Sequence, residues 1–278
     1  MNKEEKYIGS VRFYKHMILT TVGLMILIPT TLSVVFGVRG ILLSKEKKQV
    51  EAELQVAQAE LEELQQEEKV SEILDVHGDN PKTMLGDTAS SEWYLILVNE
   101  QHPLESDYEV ELKAVTGGQK VDVRIVEPLN AMMAQMRKEG LHPIVCSGYR
   151  SIEKQSRLFL EYIEERVSSG WEYGEAFYKA KTRIALPGTS EHHTGLAVDI
   201  VGATHQSLDD AQANTDEAKW LAEHCAEYGF ILRYPEDKTD ITGIDYESWH
   251  FRYVGEEVAS YIMERDLTLE EFMEVVDK

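Results

Sequence analysis

Two short stretches carry residue types that could perform hydrolysis together: 190–199, SEHHTGLAVD, and 247–250, ESWH. They offer imidazoles, carboxylates that could ligate, and one carboxylate to spare. A catalytic Zn²⁺ site asks for that combination: three protein ligands, a position open to water, and a base beside it. Zn²⁺ lowers the pKa of a bound water from about 15.7 to about 7 and polarises a carbonyl, which suits peptide cleavage at neutral pH. The first stretch reads S-x-H-x-x-G-x-A-x-D through Ser190, His192, Gly195, Ala197 and Asp199. The second reads E-x-W-H, with Glu247 three residues before His250. Upstream lies SGYRS at 147–151, followed by Gln155.

Over 93–267 these motifs fall in the order of a known family. YLILVNEQHPL, SGYRS, PGTSEHHTGLAVDI, YGFILRYP and ESWHFRYVG resemble zinc D-alanyl-D-alanine carboxypeptidases of the VanY type. They are also similar to the LdcB-type L,D-carboxypeptidases that trim bacterial cell-wall peptides. The resemblance implies that His192, Asp199 and His250 hold Zn²⁺. It makes Glu247 the general base that takes the proton of water and returns it to the leaving amine. Arg150 meets the substrate oxyanion or a carboxylate, a task suited to a planar guanidinium. Ser190, Gln155 and Tyr234 are implied to line the substrate pocket. The implied reaction removes the C-terminal D-alanine from peptidoglycan stem peptides. An L,D-carboxypeptidase, an endopeptidase or a silent zinc-fold module that binds cell-wall peptide are the alternatives. A silent module has no use for a base, so Glu247 favours the enzyme.

Placing these side chains around one metal makes demands on the backbone. In an uninterrupted strand His193 and Asp199, six apart, share a face, and His192 points away. Gly195 is a natural site for a bend or bulge that resets the alternation, and the resemblance selects His192. Residues 247 and 250 face one metal only if the segment turns. Helices are expected at 126–138, 152–167, 172–181 and 216–228, three of them ended by glycine. Strand-like runs lie at 142–147, 196–201, 230–234 and 249–253, and the domain opens on a further β-like run at 93–99. Helices and strands do not alternate as in βαβ folds. An α+β domain with a small, mainly antiparallel sheet fits, and the LAS-type peptidase fold is what the resemblance implies.

With 50 acidic and 28 basic residues the net charge is −22, which argues against nucleic acid as a partner. No G-x-S-x-G elbow supports a serine nucleophile. Cys146 and Cys225 form no metal motif and read as buried thiols. Ahead of the domain at 92–278, residues 1–16 form a polar tail. The run 17–38 is free of charge and long enough to span a hydrocarbon core of about 30 Å. It lacks a cleavage site and reads as an uncleaved signal anchor. Lysines and arginines flank it evenly, so only the proposed function places the C-terminal domain extracytoplasmically. Residues 43–75 read as a helical or coiled-coil stalk, with a seam at Leu43, Val50, Leu54, Ala57, Leu61 and Leu64. Such a seam would support a homodimer. Residues 76–91, rich in Gly, Asp, Ser and Thr, read as a linker.

Overall fold

The computed structural model describes residues 92–276, together with helical residues scattered over 12–27 and 44–71. The chain divides into two units, Met1–Glu72 and Ile73–Lys278. In the first, the described seam residues Val50, Leu54, Ala57, Leu61 and Leu64 are exposed on helix. Much of the expected anchor at 17–38, part of the stalk and the whole linker lie outside the described residues. Among the described residues no helix is long and apolar enough to cross a membrane.

The second unit is built on a four-stranded antiparallel sheet. Its strands are β3 (Pro143–Ser147), β4 (Ala197–Gly202), β5 (Phe230–Leu232) and β6 (His250–Tyr253), in the order β3-β4-β6-β5. Every residue of β4 is buried, so this strand is covered on both faces. One face is apolar. Val145, Val198, Ile200, Phe230 and Phe251 join a single core with Leu129, Met132 and Met136 of α1 (Val126–Lys138) and with Trp220 and Leu221 of α4 (Asp216–His224). The α1 residues recur at steps of three and four, the stripe that turns one helical face inward. The opposite face of the sheet carries Asp199, His250 and Arg252, and the polar chemistry collects there.

A helical hairpin stands beside that polar face. Ser151 caps α2 (Ile152–Ser168), its hydroxyl accepting from the Lys154 N–H at 3.2 Å. It packs on α3 (Tyr173–Ile184) through a separate cluster of Phe159, Ile163, Ala176 and Ala180. A two-stranded ribbon, β1 (Leu112–Ala114) with β2 (Lys120–Asp122), completes the sheets. The short α5 (Thr239–Thr242) precedes β6, and α6 (Glu256–Glu264) and α7 (Leu269–Val276) close the unit.

The expected helices and the four expected strands are present, shifted by a residue or two at most ends. The helix expected at 216–228 divides into α4 and a 3-10 turn, Cys225–Tyr228. The run at 93–99 is not a strand. Its carbonyls find another partner: the buried Arg252 guanidinium donates to Tyr94 O at 3.0 Å and Ile96 O at 2.7 Å. A charged side chain satisfies this backbone where a neighbouring strand was expected.

Candidate metal centre

Three strands lay the site out as one row. Ser147 opposes Asp199 across β3 and β4, and Asp199 opposes His250 across β4 and β6. Directly opposed residues on antiparallel strands share a face. The row depends on a bulge: Val145 faces Ile200 while Ser147 faces Asp199, leaving Cys146 as the extra residue. Cys146 is therefore half-buried, not the fully buried thiol expected, and its Sγ donates to Asp199 O at 3.4 Å. Cys225 is buried, and both thiols are free.

His192 comes from a 3-10 turn, Glu191–Thr194, which Gly195 ends at φ 73°. A Cβ there would stand 2.8 Å from the Asp122 amide nitrogen, so both conformation and close approach require glycine. The strand begins only at Ala197, and strand alternation cannot be counted back to the histidines. His192 Nε2 lies 3.3 Å from Asp199 Oδ2, while its Nδ1 is 2.8 Å from Gly148 O. His193 turns elsewhere. Its Nδ1 is 2.6 Å from Arg150 O, and its Nε2 accepts from the Gly188 N–H at 3.2 Å.

The second motif turns as it must. The His250 N–H donates to Glu247 O at 3.2 Å, closing a tight turn over Ser248 and Trp249 just before β6. His250 Nδ1 then lies 3.0 Å from Asp199 Oδ1 and 3.8 Å from Glu247 Oε2. The buried ligand atoms of His192, Asp199 and His250 all fall within 4.8 Å of one another, the one such group among the described residues. Burial lowers the His192 imidazole to about 4. Burial would lower His250 as well, but the carboxylates of Asp199 and Glu191 beside it outweigh burial and raise the ring to about 9. Burial alone would raise Asp199, yet the two imidazoles hold its carboxyl well below the usual range. Glu247 is pushed up to about 8, chiefly by burial, with His250 opposing and Asp199 adding.

Sequence reasoning missed Glu191, the residue between the motif serine and histidine. It is fully buried. Its Oε1 accepts from Arg233 Nε at 2.8 Å and from Arg252 Nη1 at 2.7 Å. Its Oε2 lies 3.5 Å from His250 Nε2, and neither atom has a hydrogen-bond partner among the described residues. Arg233 is held in turn by both oxygens of Glu270, at 2.6 and 2.7 Å. The signal available beforehand was two arginines inside strand-like runs, which need a buried acid.

These observations decide whether zinc fits. Two imidazole nitrogens and a carboxylate converge, the donor types zinc prefers. The far nitrogen of each ring is directed at an oxygen, Gly148 O or Glu191 Oε2, which aims the near nitrogen inward. Two carboxylates flank the His250 ring, Asp199 at 3.0 Å and Glu191 at 3.5 Å, and favour a positive charge at that spot. The residues fit the ion.

A cavity of about 350 Å³ opens on this group, and Arg150, Ser190, Tyr234, Glu247 and Trp249 line it. Arg150 is fixed by Gln155 Oε1 at 3.0 Å and Ser147 Oγ at 3.1 Å, and its buried Nε has no hydrogen-bond partner among the described residues. The Tyr234 ring lies 4.8 Å from that of His250. Gln155, expected in the pocket, does not line it. It is fully buried and its amide donates to the carbonyls of Ile184 and Ala185, so it positions backbone and Arg150 instead. Trp249 is buried and forms part of the wall.

A family profile described as VanY, D-alanyl-D-alanine carboxypeptidase, matches residues 118–256. A D-alanyl-D-alanine carboxypeptidase of Enterococcus faecalis (strain ATCC 700802 / V583) is 44% identical over 183 residues, covering 66% of each chain. The match thus spans about two thirds of that relative's length. Two solved structures share the fold. One is VanYB in complex with D-alanine-D-alanine, with TM-score 0.61, 44% identity, and 66% of this chain against 98% of that one. The other is a D,D-pentapeptidase VanY mutant from a VanB-type resistance cassette in complex with Zn(II), with TM-score 0.60, 43% identity, and 66% against 99% covered.

Proposed function

The chain belongs to the VanY family of D-alanyl-D-alanine carboxypeptidases, and on that premise we propose that it is a zinc carboxypeptidase of peptidoglycan stem peptides. Removal of the C-terminal D-alanine is the reaction. The observation that carries this reading is the buried His192–Asp199–His250 group with Glu247 beside it at the cavity. Zinc held by those three residues would supply Lewis acidity, acidifying water and polarising the scissile carbonyl.

The chain's own groups do the rest. Glu247, in a buried setting that holds its pKa near neutrality, accepts a proton from water and delivers it to the departing amine. Glu191 orients His250 from behind. Arg150, locked by Gln155 and Ser147 at the cavity wall, offers its guanidinium to the oxygen that gains charge or to the terminal carboxylate. Ser190 and Tyr234 shape the pocket, and Trp249 closes it against water.

Mass spectrometry of defined muropeptides tests the reading. The zinc-loaded protein should convert pentapeptides to tetrapeptides. Cleavage of tetrapeptides alone would make it an L,D-carboxypeptidase, cleavage between internal residues an endopeptidase, and no cleavage a binding module. The ligand assignment has its own measurement. His192→Ala should lose zinc while His193→Ala retains it, read by metal analysis after desalting. The reverse result would put His193 in the centre. The charge-free run at 17–38 supports a membrane anchor, a cell-wall substrate would put the domain on the outer face, and the stalk's seam supports pairing.

A further inference from the structure

Besides the groups just described, two arginines and one acid, Asp209, line the cavity, and the proposed reaction does not use the arginines' charge. Arg166, at the end of α2, and Arg183, at the end of α3, line the same cavity as the metal group. No lysine does. The Arg183 side chain is 19% exposed, and among the described residues it makes no side-chain hydrogen bond. Its ion pair is Asp210 at 3.7 Å, a carboxylate 93% exposed to solvent. The guanidinium carbon instead lies over the Trp249 ring, 5.3 Å from its centroid. Arg166 lies over Tyr162 at 4.7 Å and lines the cavity beside it. A guanidinium carries five donors, and Arg183 brings them to the cavity with no side-chain hydrogen bond among the described residues.

The backbone behind Arg183 is held in place. Ala185 sits at φ 60° and ψ 151°, a region almost confined to glycine. Such a conformation persists where the surroundings over-determine it. Gln155 supplies the restraint, donating to Ala185 O at 3.0 Å while accepting from Arg150. One buried amide thus ties the arginine beside the metal group to the segment carrying Arg183. Arg150, against Asp199 at 3.4 Å, serves the reacting end. Arg183 and Arg166 stand on the hairpin wall, where the rest of a bound peptide would run.

We propose that Arg183, backed by Arg166, forms an anion subsite that reads a carboxylate on the substrate peptide upstream of the cleaved bond. Acidic stem peptides are then preferred over their amidated forms. The inference rests on the carboxypeptidase reading and names its substrate class. The charge balance supports it: on a chain of net charge −22, an anionic peptide is repelled at long range and needs a local cation to dock. Stacked, preorganised guanidinium groups are suited to bidentate capture of a carboxylate.

The test uses two pentapeptides ending in D-Ala-D-Ala that differ only in a free carboxylate or a carboxamide on the glutamyl residue. With the full zinc-loaded chain, kcat/KM for the acid should exceed that for the amide by on the order of tenfold, mostly through KM. In R183Q, and to a lesser degree in R166Q, that ratio should fall toward one with zinc content retained. A parent ratio near one, or a ratio that survives in both variants, overturns the subsite. So does a loss in R183Q confined to kcat and equal on both peptides, which would make Arg183 a partner of Glu247 only. Calorimetric binding of both peptides to zinc-loaded E247Q separates the two readings. Preference in binding without hydrolysis by the parent would keep the subsite and sink the carboxypeptidase.

Discussion

Glu247→Gln should keep zinc and fold while kcat falls by about 10²–10⁴-fold, the usual worth of general acid–base catalysis. The substitution preserves the side chain's shape and the turn that carries it, because the Glu247 backbone bonds to Tyr234 O and to the His250 N–H are untouched. What disappears is the capacity to accept a proton from water and hand it to the amine. Glu247 suits that double task because burial raises its carboxyl to about 8, within reach of both protonation states near neutrality. A bound zinc ion would draw that value down, toward the ionised form that accepts the first proton. Turnover is measured by release of D-alanine at saturating peptide, with metal analysis of the same sample. Full zinc with activity within a few-fold of the parent would remove Glu247 from the mechanism.

Glu191→Gln should cost about 3–5 kcal/mol of stability, the range for breaking a buried ion pair from one side. Glu191, Arg233 and Arg252 are all inaccessible to solvent. Arg233 would retain Glu270, but Arg252 would be left with backbone carbonyls and no opposing charge among the described residues. His250 would also lose the carboxylate behind its Nε2, so zinc affinity should fall together with stability. Urea unfolding of the metal-free protein and chelator competition for zinc measure the two effects separately. Unchanged stability would mean that the network contributes nothing net. The same network sets an acid limit. Burial would raise Glu270, but Arg233 outweighs it and holds the folded-state pKa below the unfolded value of about 4.3. The stabilisation is therefore complete above about pH 4 and is lost as pH falls further. Unfolding midpoints that stay level from neutrality to pH 2 would contradict that sign.

The residue types needed for a metal hydrolase were legible in the chain itself. So were the four strands and four helices that hold them, since apolar periodicity and glycine stops are local properties. Residues 93–99 show the limit of that reading. They have strand-like composition, but their carbonyls are claimed by Arg252 from more than 150 residues away. The histidines show it more sharply. Counting along a strand favours His193, yet a 3-10 turn ended by Gly195 at φ 73° gives Asp199 the His192 ring. That glycine is fixed by contact with Asp122, a residue of another sheet. Gln155 lies behind the cavity and not on its wall, because its partners at 184 and 185 become neighbours only when α3 packs on α2. Glu191 gave no periodic signal at all. Sequence determined which groups could do the chemistry; only the fold decided which of them meet, because burial and pairing of charges depend on segments far apart in the chain.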